Sequence, residues 1–220
     1  MRFSKHFSKR VLYFLLFHAI GVAPLAAQSF SFGVKGGTPA TDAFVANNSA
    51  SNPANYADKT PRYTVGPEFE LHLPHNFAFE AEALFGQLHY EYYPFGFQTF
   101  RSVTTANSWD FPLLAKRYIN TGIRPFVDGG ITLRHVSGSN TTLTNGSFAA
   151  SAAGTDLTSN QNHGFTAGAG LDYQKGSFHF QPEVRYTRWQ NINFQSADGI
   201  LSSNQNQVEV LFGLTFGRKE

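Results

Sequence analysis

Apolar residues recur at every second position in eight separate stretches of the chain. The closing stretch, "NQVEVLFGLTFGRKE", sets Val208, Val210, Phe212, Leu214 and Phe216 against Glu209, Leu211, Gly213 and Thr215. Strict alternation predicts a strand with two unlike faces. The same period runs through Ser29–Gly37, with Phe30, Phe32 and Val34 on one face, and through Arg62–Leu73, where Tyr63, Val65, Phe69 and Leu71 oppose Glu68, Glu70 and His72. Phe77–Tyr93 sets Phe77, Phe79, Ala81 and Phe85 against Glu80 and Glu82; Ser108–Tyr118 sets Trp109, Phe111 and Leu113 against Asp110 and Lys116. Arg124–Val136, Gly164–Tyr173 and Phe178–Trp189 complete the set, with Asp128, Arg134, Asp172, Glu183 and Arg185 on their polar faces. Amphipathic periodicity near 3.6 residues is hard to find. The expectation is an all-β chain.

The connections alternate as regularly as the residues. Three are tight: Pro74–Asn76, Asn120–Gly122 and Gln174–Ser177. The other four are long and rich in Ser, Thr, Asn, Gly and Ala, covering Thr38–Pro61, Pro94–Asn107, Ser137–His163 and Gln190–Asn206. An antiparallel meander with this order carries every long loop at one end and every tight turn at the other, the pattern of outer-membrane barrels. The long loops read as flexible exposed surface.

The placement of charge decides which face turns inward. The apolar parity of the strand interiors carries almost no ionised side chain. The other parity carries Glu68, Glu70, Glu80, Glu82, Asp110, Lys116, Asp128, Arg134, Asp172, Glu183, Arg185 and Glu209, with acids outnumbering bases. A Lys or Arg facing lipid at the bilayer midplane costs roughly 2–4 kcal/mol, a carboxylate less. Turned inward, these charges pair across a narrow lumen. The fold expected is therefore an eight-stranded antiparallel up-and-down transmembrane β-barrel spanning residues 28–220. A soluble lipocalin-like carrier needs the opposite sense, an apolar lumen. Eight strands leave an interior that side chains fill, so no open pore is expected.

Aromatic residues fall near both ends of the strands. Phe77, Phe79, Tyr118, Tyr173, Phe178, Phe180 and Phe216 sit near the tight turns, and Tyr63, Tyr90, Tyr92, Trp109, Tyr186 and Trp189 near the long loops. Two belts suit the two interfaces of a bilayer. Pro67, Pro112, Pro125 and Pro182 fit poorly, because a closed barrel has no free edge for a residue without an N–H. They are expected at bulges or strand ends.

The first 27 residues differ from the rest. "MRFSKHFSKR" is basic, "VLYFLLFHAIGVA" is apolar, and "PLAAQ" follows, which predicts a secretory signal peptide over residues 1–27 rather than an uncleaved anchor. Loss of its Arg2, Lys5, Lys9 and Arg10 turns the net charge of +2 into −2, so the balance gives no reason to expect a nucleic-acid partner. The chain contains no Cys, which excludes a disulfide framework and a lipid anchor at an N-terminal Cys.

"SWDFPLLAKRY", "RPFVDGGITLRHVSG" and "NQVEVLFGLTF" resemble segments of small bacterial barrels, and the whole region after residue 27 resembles the OmpA/OmpX-like outer-membrane barrel domain. The resemblance implies a cell outer membrane location in a Gram-negative-type bacterium, both termini in the periplasm, and recognition of the last strand by the outer-membrane assembly machinery. It departs from pattern in ending "GRKE" after Phe216. The partners expected are outer-membrane lipid and lipopolysaccharide, with a surface ligand on the loops. The barrel is expected to be monomeric, with no further domain, metal or cofactor, and to serve membrane integrity or adhesion.

One pattern points to chemistry. His135 and Ser137 share the lipid-facing parity, and lipid A deacylase barrels are similar in carrying an H-x-S pair on eight strands. By that resemblance His135 is a general base and Ser137 a nucleophile. An acid on the neighbouring strand is missing, since "NQNHGF" (Asn160–Phe165) carries none, and Asp156 lies in a loop. A non-enzymatic barrel is the leading expectation and the hydrolase its alternative. No nucleotide-binding or metalloprotease motif is present.

Overall fold

The computed structural model describes residues 29–47, 55–94, 100–119 and 124–217. Residues 1–27, read as a leader, and the turn at Asn120–Gly122 lie outside these. The strands among the described residues are β1 (Ser29–Pro39), β2 (Phe44–Ala46), β3 (Asn55–Asp58), β4 (Thr64–Leu73), β5 (Phe77–Glu82), β6 (Leu84–Tyr93), β7 (Phe100–Tyr118), β8 (Arg124–Asn145), β9 (Phe148–Ala153), β10 (Gln161–Lys175), β11 (Phe178–Trp189), β12 (Leu201–Ser203) and β13 (Asn206–Gly217). No helix among them is long and apolar enough to cross a membrane.

Eight walls close on themselves: β1, β4, β5 with β6, β7, β8, β10, β11 and β13, every neighbouring pair antiparallel. The β1–β13 pairing, Ser31 with Gly217 through Pro39 with Glu209, joins the two ends of the meander. Period two holds in three dimensions. Along β13 Phe212, Leu214 and Phe216 are exposed on the outer face, whereas Glu209, Leu211, Gly213 and Thr215 are buried inside. Along β1 Phe30, Phe32 and Val34 are likewise exposed. A wall apolar outside and charged inside matches lipid around it and ion pairs within it.

Three of the four prolines occupy neither bulges nor strand ends; each leaves a short gap in one ladder while the register continues. Ala83 N–H donates to Pro67 O at 3.1 Å and Pro67 has no N–H to return the bond. This breaks the predicted Phe77–Tyr93 strand into β5 and β6, but Glu68 still opposes Glu82 below and Val65 opposes Phe85 above. On the other side of β5 the ladder skips from Ala81–Leu113 to Leu84–Asp110, passing Pro112. Between β10 and β11 it skips from Gly170–Glu183 to Tyr173–Phe180, passing Pro182. Pro125 is the second residue of β8.

At the long-loop end the walls outrun the predicted strands. β7 begins at Phe100 and β8 continues to Asn145, where β9 pairs back on it; with β6 and β3 on the other side of β7 this makes a five-stranded fin in the order β3-β6-β7-β8-β9. A bulge shifts the β7–β8 register between Thr105 and Asn107, opposite Gly138, whose φ of 64° is the left-handed conformation such a bulge requires.

The other long connections form a cap instead of free loops. β2 pairs with β12, and Phe44, Tyr56, Phe194 and Leu201 bury against Tyr90, Ala106 and Val136 of the walls. Phe44 packs edge-on to Tyr90 and Phe194 at centroid distances of 5.0 and 5.6 Å. Asp58 accepts from the N–H groups of Ala43, Phe44 and Thr60 at 2.8, 3.1 and 2.8 Å, holding the first connection over the mouth. Burial in this cap pushes the Tyr56 phenol up to about 12. The expectation of flexible surface fails here because widely spaced apolar residues in a polar background show no local period.

Candidate functional site: the charged interior

All eight walls send polar side chains into the lumen. Glu68 and Glu70 come from β4, Glu80 and Glu82 from β5, Lys116 from β7, Asp128 from β8, Asp172 from β10, Glu183 and Arg185 from β11 and Glu209 from β13, every one buried. Asp110 of β7 and Arg134 of β8 also point inward, their side chains 16% and 11% exposed near the outer mouth.

The centre is organised by a residue the sequence reading did not single out. Lys35 of β1 lies on the inward parity of its strand, and its Nζ sits 3.1, 2.7, 2.6 and 3.0 Å from Glu68, Glu80, Glu82 and Glu183. Arg185 interlocks with the same acids. Its Nε donates to Glu183 at 2.6 Å, Nη1 to Glu82 at 2.7 Å, and Nη2 to Glu80 at 3.2 Å and to Glu82 at 2.8 Å. Lys116 contacts Glu80, reaches Glu70 at 3.4 Å and donates to Gln181 at 2.9 Å. The Tyr118 hydroxyl donates to Glu70. Three cations thus hold five glutamates, and Lys35, Lys116 and all five acids have no exposed side-chain area. Desolvating charges is costly unless geometry and hydrogen bonds compensate. Here most of the acids meet two or three donors.

Glycine makes room for this lattice. A Cβ at Gly168 would lie 2.7 and 2.9 Å from the Asp128 oxygens and 2.9 Å from Glu183, so any larger residue there would displace a carboxylate. Asp128 accepts no hydrogen bond among the described residues. Glu68, Glu80 and Glu82 stand close enough to share a metal ion, but the Lys35 ammonium already contacts all three.

Smaller groups flank the centre. Toward the tight turns Asp172 meets His179 at 3.1 Å and Arg124 at 3.4 Å. Toward the mouth Arg134 clamps Asp110 with two bonds of 2.7 Å, donates to Gln207 at 2.7 Å and stacks 3.9 Å over the Trp189 ring. Tyr118, Tyr90 and Trp189, expected in the aromatic belts, are each 2% exposed and face inward. They lie on the charged parity of their strands, and parity outweighs residue type. Phe79, Tyr173 and Phe216 remain on the outer face.

His135 and Ser137 do not assemble a catalytic triad. His135 is exposed on the outer face opposite Trp109 and Gln161, and Ser137 opposes Asn107. Among the described residues no hydrogen bond joins the two. Asp156, the one acid of the neighbouring loop, accepts the Tyr90 hydroxyl at 2.6 Å beneath the cap instead.

A closed eight-walled barrel with apolar residues outside and a buried ionic lattice inside has the chemistry of a bilayer protein. The sequence profile described as outer membrane protein beta-barrel domain matches residues 26–188. The chain belongs to that family. This outer-membrane barrel is similar in fold to OprG from Pseudomonas aeruginosa, with a TM-score of 0.56 at 10% identity, over 88% of this chain and 96% of that one. Also similar are the N-terminal β-barrel domain of Pseudomonas aeruginosa OprF, at 13% identity and TM-score 0.40, and Neisserial surface protein A, at 9% and 0.43. Each of these covers 86% of this chain and 96% of its own. No curated protein sequence matches the barrel.

Proposed function

We propose that this outer-membrane barrel is a sealed scaffold, monomeric within its own membrane, with a structural and surface-interactive role. In this reading residues 1–27 direct export, lipid and lipopolysaccharide surround the wall, and the assembly machinery reads β13 through Val208, Val210, Phe212, Leu214 and Phe216. The fin and cap are presented outside the cell. The observation that carries the sealed reading is the ionic lattice: Lys35, Lys116 and Arg185 bridge acids from β4, β5 and β11 across the lumen, with side chains at most 1% exposed. Charges packed to that degree leave no room for a hydrated solute, and the cap lies above them.

Reconstitution in planar bilayers tests this. The native chain is expected to give no stepwise conductance, and reproducible steps at moderate voltage would overturn the sealed reading. The interactive role is tested by replacing Ser139–Ala153 with a two-residue turn. Attachment of expressing cells to abiotic and host surfaces should fall, and unchanged attachment would refute a role for the fin. His135 and Ser137 receive no catalytic role in this reading.

A further inference from the structure

The fin ends in an open edge. β9, "FAASAA", pairs with β8 alone, from Asn140 opposite Ala153 to Asn145 opposite Phe148, and all six of its residues are exposed. Among the described residues no backbone group bonds to its other side. Exposed edges are ordinarily blunted by Lys, Pro, a bulge or an inward charge. β9 has none of these, and no Asp, Glu, Lys, Arg or His occurs anywhere from Ser137 to Thr155.

What completes such an edge must bring an extended backbone and no charge, since β9 and the stretch of β8 beside it carry none to pair with it, and Arg101 and Glu91 of the more distant β7 and β6 pair with each other. A second copy of β9 meets both conditions. Its residues are Ala and Ser apart from Phe148, so two such strands approach without steric or electrostatic opposition.

We propose that β9 pairs antiparallel with β9 of a second copy of this chain standing in a facing membrane, joining two cells. The inference rests on the surface-interactive reading above. Two identical edges pair symmetrically only in the antiparallel sense, about a two-fold axis perpendicular to the sheet. The fin is built from the same β7 and β8 that line the barrel, and in the proposed arrangement its plane contains the membrane normal. The axis then lies parallel to the membrane, and rotation about it inverts the normal. The second barrel faces the first across the intervening space and does not sit beside it.

Parity, together with the longest overlap of two six-residue strands, leaves two registers. Phe148, Ala150 and Ala152 share a face with Leu143, while Ala149, Ser151 and Ala153 share the other. Paired residues in a sheet point the same way, so the two-fold must pass through a residue. Centred on Ala150, it sets Phe148 against Ala152; centred on Ser151, it sets Phe148 against Gly154. Either choice places the one bulky side chain against a small residue and extends an apolar stripe in which Leu143 and Phe148 are now 43% and 63% exposed.

The absence of native Cys makes the test direct. Full-length Ala150→Cys and Ser151→Cys proteins, each carrying one of two affinity tags, are placed in separate phospholipid vesicles, mixed and mildly oxidised. One of the two variants should yield disulfide dimers bearing both tags, and vesicles of native protein should aggregate. Ala150→Lys, which sets like charges on facing strands, should abolish aggregation while retaining the heat-modifiable gel mobility of a folded barrel. Absence of mixed-tag dimers from both variants, dimers confined to one tag, or undiminished aggregation of Ala150→Lys would each overturn the pairing. If vesicles stay dispersed while expressing cells still attach to surfaces better than cells lacking the protein, the pairing fails and the surface-interactive reading stands. Loss of both would sink both.

Discussion

Replacing Lys35 with Met probes the centre of the barrel. The substitution keeps the volume and length of the side chain and removes one ammonium from among four buried carboxylates at 2.6–3.1 Å. Their losses differ. Glu80 keeps Lys116 and Arg185, and Glu82 and Glu183 keep Arg185. Glu68 accepts no hydrogen bond, and its only ion pair among the described residues is with Lys35. Removing one partner of a buried pair costs about 3–5 kcal/mol, because a charge is left without compensation. Lys35→Met should therefore lose about that much, and most of the loss should be traceable to Glu68. Neutralising the orphan in Lys35→Met/Glu68→Gln should recover about 1–3 kcal/mol, the range of coupling seen for contacting residues. Urea titration in phospholipid vesicles, followed by Trp fluorescence and by gel mobility, measures all four corners of the cycle. A Lys35→Met barrel within about 1 kcal/mol of native would refute the reasoning, as would a double variant no more stable than the single one.

Arg134→Ala removes a two-bond clamp on Asp110 and the guanidinium over Trp189; it should cost about 1.5–3 kcal/mol in the same titration and increase acrylamide quenching of Trp fluorescence. Phe44→Ala empties the middle of the cap, where a buried Phe is worth about 3–5 kcal/mol. Because the cap rests on the long-loop ends of the walls, beyond the ionic lattice, protease cleavage of the long connections should accelerate while the heat-modifiable barrel persists; loss of that barrel would contradict their independence. Mass spectrometry of lipid A from cells expressing the native chain or His135→Ala should give identical spectra, and an acyl chain missing only with the native chain would make the barrel a hydrolase.

How much of this could be read from the chain follows from the range of each interaction. Strand walls and their facing are local, and alternation in "VEVLFGLTF" or "FELHL" states them residue by residue. The acids fell on the inward parity for the same reason. Lys35 stands alone between Val34 and two glycines, where one charge makes no pattern; its only signal in the chain is its parity with Ser31 and Gly33. Residue type puts Tyr118, Tyr90 and Trp189 in the belts, whereas parity turns them inward. The cap was out of reach, since Phe44, Phe194 and Leu201 come together only when two connections about 150 residues apart fold over one mouth. The prolines could not be placed by a rule about edges, because the ladder tolerates one missing donor without losing register.

A membrane barrel with its charges inside requires the apolar face of the wall to meet lipid. A scan of single Cys substitutions from Glu209 to Phe216, each carrying a fluorophore in reconstituted vesicles, reads that face directly when a lipid-confined nitroxide is the quencher. Positions 210, 212, 214 and 216 should be strongly quenched and 209, 211, 213 and 215 protected, in strict period two. Quenching in the opposite phase, or equal quenching throughout, would contradict a barrel with its charges inside.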